Sequence, residues 1–223
     1  MLFRSISICT ILLFTGVKLS AQKYIISAHF EGMQVPEKLE LLDDTYNWTT
    51  IGRSTMALYF LGVERKTSSH LSFGLSINYS NLSTVLYYHP DWPKPGFAYH
   101  RRFNINYMGL RLFTKYIKTR KSIDFYWKSS LTYYRHLYSK SHNEENGILL
   151  SSQSLENDAI KNNALYTTTE LGITFPMSPK NRKVSLQGEF GLQVNIPILD
   201  FLENDSKRLL YQGVHLGVNL VFQ

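Results

Sequence analysis

The chain has 223 residues, 43% of them hydrophobic, and 24 Lys and Arg against 17 Asp and Glu give it a formal charge of +7. Its one cysteine, Cys9, excludes a disulfide framework and a cysteine-based metal centre. No stretch is apolar for the roughly 18 residues that a membrane-spanning helix takes.

The N-terminus carries an address. Arg4 precedes an apolar run from Ile6 to Val17, followed by Leu19, Ser20 and Ala21 before Gln22. A run this short, ending in small residues, predicts a secretory signal peptide over residues 1–21 and one domain over residues 22–223. Cys9 lies inside the signal, so the mature chain is expected to have no thiol. Export also sets aside nucleic acid as the partner of the positive charge and favours lipid phosphate at a membrane surface.

From there on, apolar and polar residues alternate with the period of two that marks strands. Residues 23–32 give a short first strand, and residues 55–65 a second that is apolar on both faces at its start. In the third, Leu71, Phe73, Leu75, Ile77 and Tyr79 oppose Ser72, Gly74, Ser76 and Asn78. The fourth, over 102–116, changes phase near Tyr107 and Met108, which a β-bulge would explain. The fifth sets Ile123, Phe125, Trp127, Leu131 and Tyr133 against Asp124, Tyr126, Lys128, Ser130, Thr132, Tyr134 and His136. Leu165 to Phe175, Val184 to Ile196 and Gly213 to Phe222 repeat the pattern three times more.

The connections alternate as well. Those after the second, fourth and sixth strands are short and basic, with Arg65 and Lys66, then Lys118, Arg120 and Lys121, then Lys180, Arg182 and Lys183. The others are longer and span roughly 33–54, 89–100, 139–162 and 199–208. Short turns on one side and long loops on the other predict an all-β fold, an eight-stranded antiparallel up-and-down transmembrane β-barrel. Its place is a Gram-negative outer membrane, with both termini periplasmic.

Alternation alone leaves open which face points inward, and a soluble lipid carrier would put the apolar face inside. The polar face here is rich in glycine and small hydroxyl residues, which suits a narrow lumen. Aromatic residues also gather near strand ends as two interfacial girdles would. Tyr24, Phe113, Tyr116, Phe125, Trp127, Phe175 and Phe222 mark the periplasmic side, and Tyr87, Tyr88, Tyr133 and Tyr138 the other.

With this architecture, a signal ending in Ser20, Ala21 and Gln22, and an aromatic at Phe222, the mature chain resembles the small outer-membrane β-barrels. That group includes the OmpA-like, OmpX-like and PorT-like eight-stranded proteins. The resemblance implies insertion by the barrel-insertion machinery, which reads a terminal aromatic; here Gln223 follows Phe222. The segment from Tyr107 to Tyr116 is similar to the fourth strand of PorT-like barrels, with Arg111 where they commonly carry proline.

Inward parity collects His29, Glu31, Glu64, Asp124, Lys128, His136, Glu170, Glu189 and His215, with Arg111 added by the bulge. An eight-stranded barrel is filled by its own side chains, so these charges are expected to pair as a structural plug. Glu170 and Glu189 are expected to share Lys128 or Arg111, and His215 to be a hydrogen-bonded interior histidine. No metal-ligand spacing and no cofactor motif is present. Ser139, Ser141, His142, His136, His89 and His100, with Glu144 and Glu145, offer rim residues for a lipid A-modifying enzyme, without the strand-borne spacing such a site needs. Binding is expected in the loops: Trp92 and Phe97 in a segment stiffened by three prolines, Glu144 and Glu145 in the long loop from Lys140 to Lys161. The expected function is a non-enzymatic outer-membrane barrel, structural or presenting loops to an extracellular or secretion-system partner while seated among lipid and lipopolysaccharide. A narrow channel or carrier of small hydrophobic molecules is the alternative, and lipid A modification the third.

Overall fold

A computed structural model describes residues 24–35, 50–51, 54–88, 99–120, 122–145, 148–154, 160–178, 183–199 and 211–222. The expected signal peptide lies outside them, as do Trp92, Phe97 and His89. The described residues form ten strands: β1 (Tyr24–Val35), β2 (Thr50–Ile51), β3 (Ser54–Lys66), β4 (Leu71–Tyr88), β5 (Tyr99–Arg120), β6 (Ile123–Glu145), β7 (Ile148–Ser154), β8 (Asn163–Pro176), β9 (Val184–Leu199) and β10 (Tyr211–Phe222). Every pairing is antiparallel, and β1 pairs with both β3 and β10, from Tyr24 opposite Phe222 to Gln34 opposite Gln212. Eight strands thereby close into a barrel in the order β1, β3, β4, β5, β6, β8, β9, β10. β2 adds to the end of β4, and β7 pairs with the end of β6.

The faces fall as a membrane barrel requires. Leu61, Leu171 and Leu192, at 62%, 64% and 59% exposure, point outward with Ile26, Ile77, Leu112, Leu131 and Leu216. A soluble monomer rarely exposes so continuous an apolar surface, whereas lipid covers it at no cost. The opposite parity carries buried Ser, Thr, Asn, Gln and charged residues. The lipocalin-like assignment, with an apolar calyx and polar exterior, therefore does not hold for this belt.

Strand lengths depart from the sequence expectation. Crossing a bilayer takes about 9–11 residues, and β1 and β10 have 12 each, but β4, β5 and β6 run for 18, 22 and 23. β4 ends at Tyr88, where the loop is expected to begin, whereas the stretch expected as a loop over 139–162 holds the rest of β6 with β7 folded back against it.

The phase change in the fourth expected strand is one of chemistry, not geometry. Odd-numbered residues of β5 face inward throughout, from Phe103, Ile105 and Tyr107 to Arg111, Phe113 and Lys115. The extra residue sits across the ladder: Asn106 pairs with Tyr138 and Tyr107 with His136, which leaves Leu137 of β6 without an opposite. There the inward parity of β6 switches from Tyr134 and Thr132 to Ser139 and Ser141, as a bulge demands. Near the same level β6 leaves β8, after Arg135 opposite Asn163, and takes up β7.

The girdle is largely as expected. Tyr116, Phe125, Trp127, Phe175 and Phe222 stand on the outer face at one end, and Tyr133 and Tyr138 at the other. Phe113 is an exception and lies buried in the lumen, because Arg111, Phe113 and Lys115 share one parity. Its ring lies over Gly74, its cross-strand partner, where a Cβ would come within 2.0 Å of the ring. The side chains of Tyr87 and Tyr88 lie outside the described residues.

Candidate functional site in the lumen and on the outer extension

Two tiers fill the barrel. In the membrane-spanning tier, Glu31, Glu64, Arg111, Lys115, Lys128, Glu170, Glu189 and His215 are each no more than 3% exposed. Buried charges this dense persist only when paired and hydrogen-bonded, and each finds partners on other strands. Arg111 holds Glu31 through both terminal nitrogens, the Nη2 to Oε2 bond being 3.0 Å, and its Nε donates to Thr132 Oγ1 at 3.0 Å. Gln193 Nε2 donates to the same Glu31 Oε2 at 2.9 Å. Lys128 Nζ lies 2.6 Å from Glu170 and 4.0 Å from Glu189. Lys115 Nζ lies 2.8 Å from Glu189 and 3.9 Å from Glu64, whose other oxygen accepts from Ser72 Oγ at 2.6 Å. Tyr126 donates its hydroxyl to Glu170.

Each cation also rests on an aromatic face: Arg111 4.0 Å from the Phe60 centroid, Lys115 4.2 Å from Tyr126 and Lys128 5.6 Å from Phe113. Such contacts strengthen when the cation is desolvated. His215 stands at the centre, with Nδ1 3.3 Å from Glu31 and 3.5 Å from Glu170, and Nε2 3.6 Å from Glu189.

Of the expected lumen residues, Glu64, Arg111, Lys128, Glu170, Glu189 and His215 are brought together, as are His29 and Glu31. Asp124 keeps the inward parity but stands half-buried near the end of the lumen, outside the network. Glu170 and Glu189 share Lys128, whereas Arg111 serves Glu31. The missed member is Lys115, the principal counter-ion of Glu189; its shared parity with Arg111, four residues earlier on β5, was the available signal.

The outer tier is apolar. Met33, Met56, Leu58, Phe60, Leu82, Phe103, Ile105, Tyr107, Tyr134, Ala164, Tyr166 and Tyr211 form one buried cluster. Tyr166 stacks edge-on between Tyr134 and Tyr211, with centroids 5.8 and 5.6 Å away. A concavity of about 1050 Å³ opens on the lipid-facing wall, lined by Ile26, Leu61, Ile77, Leu112 and Leu131 among others.

Outside the belt, Ile148, Leu149 and Leu150 of β7 are 67%, 56% and 54% exposed in succession. Glu144 and Glu145 end β6 opposite Leu149 and Ile148, their side chains lying outside the described residues. At the bulge, His136 Nε2 and Ser139 Oγ are 2.6 Å apart, because Leu137 brings residues three apart onto one face. His136 otherwise meets the Tyr107 ring edge-on, Ser139 is buried, and among the described residues no carboxylate pairs with this histidine. The pair is turned to the interior, against the Tyr107 ring, at the hydrogen-bond reach that a nucleophile and base would share.

No protein-family model matches the sequence, and no curated protein matches it. Among solved structures the chain is similar to the N-terminal β-barrel domain of Pseudomonas aeruginosa OprF, at 10% identity and a TM-score of 0.39 over 89% of this chain and 97% of that one. It is similar to Neisserial surface protein A, at 11% and 0.42 over 90% and 99%, and to Ail, the attachment invasion locus protein of Yersinia pestis, at 9% and 0.37 over 92% and 100%. These are likenesses of fold alone. The lipid-facing belt, the closed antiparallel register and the ion-paired lumen make the chain a small eight-stranded β-barrel with the architecture of those that span outer membranes.

Proposed function

We propose that the protein is a closed, non-enzymatic barrel that anchors and presents an outer β-extension to a partner. The observation that carries this reading is the asymmetry of the strands. β5 and β6 exceed the crossing length by about ten residues, and with β4 and β7 they raise a sheet beyond the belt whose last strand exposes three consecutive apolar residues. Ion pairs below and an aromatic cluster above fill the lumen, which supports a plug over a channel or a lumenal carrier.

Two measurements test this together. The purified barrel in planar bilayers is expected to pass no single-channel current. A photo-crosslinking residue at Leu149 in intact cells is expected to give a discrete protein adduct that the same residue at Leu171 does not. Conductance steps combined with no adduct at Leu149 would refute the proposal in favour of a channel.

A further inference from the structure

We propose that His29, His215 and Glu189 form a lumenal site for one transition-metal ion of the Zn²⁺ or Co²⁺ type. The site goes beyond the presenting role and does not depend on it. Its logic lies in the register of three adjacent strands. Gly217 of β10 pairs with His29 of β1 on one side and with Glu189 of β9 on the other, while His215 lies two residues away on the same inward face and Asn219 two residues the other way. Around a position without a side chain stand two imidazoles, a carboxylate and a carboxamide. A Cβ at Gly217 would come within 3.0 Å of His29 Nε2 and 3.1 Å of His215 Nε2, so only glycine leaves both nitrogens converging there.

The ligating atoms of His29, His215 and Glu189 all lie within 4.8 Å of one another. Zinc takes nitrogen and oxygen at about 2.0–2.2 Å, so binding draws them in by roughly an ångström. Two of the donors lack a hydrogen-bond partner: His215 Nε2 and Glu189 Oε1 are buried and face each other at 3.6 Å. The second oxygen of Glu189 is taken, by Lys115 Nζ at 2.8 Å and Asn219 Nδ2 at 2.6 Å, whereas Oε1 makes no hydrogen bond and has only the Lys128 ammonium 4.0 Å away, which leaves it as the oxygen to meet a ligand. His29 Nε2 lies 3.0 Å from Asn219 Oδ1, so the amide oxygen is at hand as a fourth, neutral donor.

Charge points the same way. Glu31, Glu64, Glu170 and Glu189 face only Arg111, Lys115 and Lys128 as permanent cations among the fully buried lumen residues, so the interior has room for added positive charge. Two imidazoles with one carboxylate suit zinc, cobalt, nickel or copper rather than calcium or magnesium, which prefer all-oxygen shells. The spacing rules that find metal sites in a sequence miss this one, because its ligands come from three strands whose contact exists only in the closed barrel.

Tag-free protein refolded into detergent with Co²⁺, then separated from free ion by gel filtration, tests the site. The expected result is one Co²⁺ per barrel with visible d–d absorption. His29→Gln is expected to lose the ion while its unboiled band still migrates as a folded barrel on a gel. A parent barrel that retains no Co²⁺, or a folded His29→Gln that retains as much as the parent, overturns the proposal. Should His29→Gln fail to fold, Zn²⁺ added to the parent decides by imidazole ¹⁵N spectra. Shifts at His29 and His215 support the site, and shifts confined to other histidines or absent overturn it.

Discussion

Neutralising Lys128 is expected to destabilise the barrel more than neutralising Glu170, its partner at 2.6 Å. Lys128→Met deprives Glu170 of its cation and Glu189 of the second ammonium at 4.0 Å. With an effective dielectric of about 20, those attractions amount to roughly 6 and 4 kcal/mol. They are offset in part because the ammonium no longer has to be desolvated, which leaves a net cost of about 3–5 kcal/mol for a buried carboxylate stripped of its partner. Glu170→Gln costs less. Lys128 retains Glu189 and its place over Phe113, the new amide oxygen still accepts the Tyr126 hydroxyl, and three carboxylates then match three permanent cations. About 1–2 kcal/mol is expected, the scale of one altered buried hydrogen bond. The double variant should cost less than the sum of the two by about 2–3 kcal/mol, as groups in one network do. Urea unfolding from lipid vesicles, followed by Trp127 fluorescence and by the unboiled gel band, gives these differences. Equal costs for the two single variants, or strict additivity in the double, would show that the lumen is not charge-limited.

Gly74→Ala places a Cβ about where the Phe113 ring now lies, and overpacking of this kind costs about 1–3 kcal/mol; the same urea titration should show part of that loss recovered by Phe113→Leu. Leu112→Arg puts a charge midway along the lipid face, between Tyr116 and the polar boundary at Asn106 and opposite Leu131, and should cost about 2–4 kcal/mol in vesicles. Leu149→Arg, on the part of the molecule beyond the belt, should leave stability unchanged within about 0.5 kcal/mol. Equal effects at these two leucines would mean that the belt has been assigned to the wrong residues.

The barrel was legible in the sequence because strand period and loop alternation are local signals. Val214, Leu216, Val218 and Leu220 against His215, Gly217 and Asn219 suffice to name a strand and its two faces. Partner choice inside the lumen was not legible, since it depends on stagger between strands. That Glu31 lies opposite His215, and Arg111 across the lumen from Glu31, follows from the closed register and from no spacing within one segment. Phe113 was misplaced and Lys115 passed over even though the parity that turns Arg111 inward turns both of them inward too; the bulge expected at Tyr107 and Met108 lies before them, and the extra residue is Leu137 on the neighbouring strand.

What changes along β5 is the solvent outside it. Where lipid surrounds the strand, an apolar side chain gains nothing by turning inward, so Met108 and Leu112 stay outside and polar groups satisfy one another in the lumen. Beyond the bilayer the alternative environment is water, and burial of Phe103, Ile105 and Tyr107 regains its driving force while Arg102 and Asn104 take the outer face. The crossover is sharp and shared between neighbours. Met108 pairs with Tyr79 on the apolar side of the boundary, and Asn106 with Asn81 on the polar side. There the Tyr79 hydroxyl donates to Asn106 Oδ1 at 2.5 Å, and Asn81 Nδ2 donates to the same oxygen at 2.7 Å. The bulge at Leu137, the aromatic Tyr133 and Tyr138, and the change of partner from β8 to β7 all fall near this level. The reversal of polarity that blurs the strand in the sequence is therefore the trace of the membrane's outer boundary, and it divides an ion-paired anchor from an apolar-cored extension on one continuous set of strands.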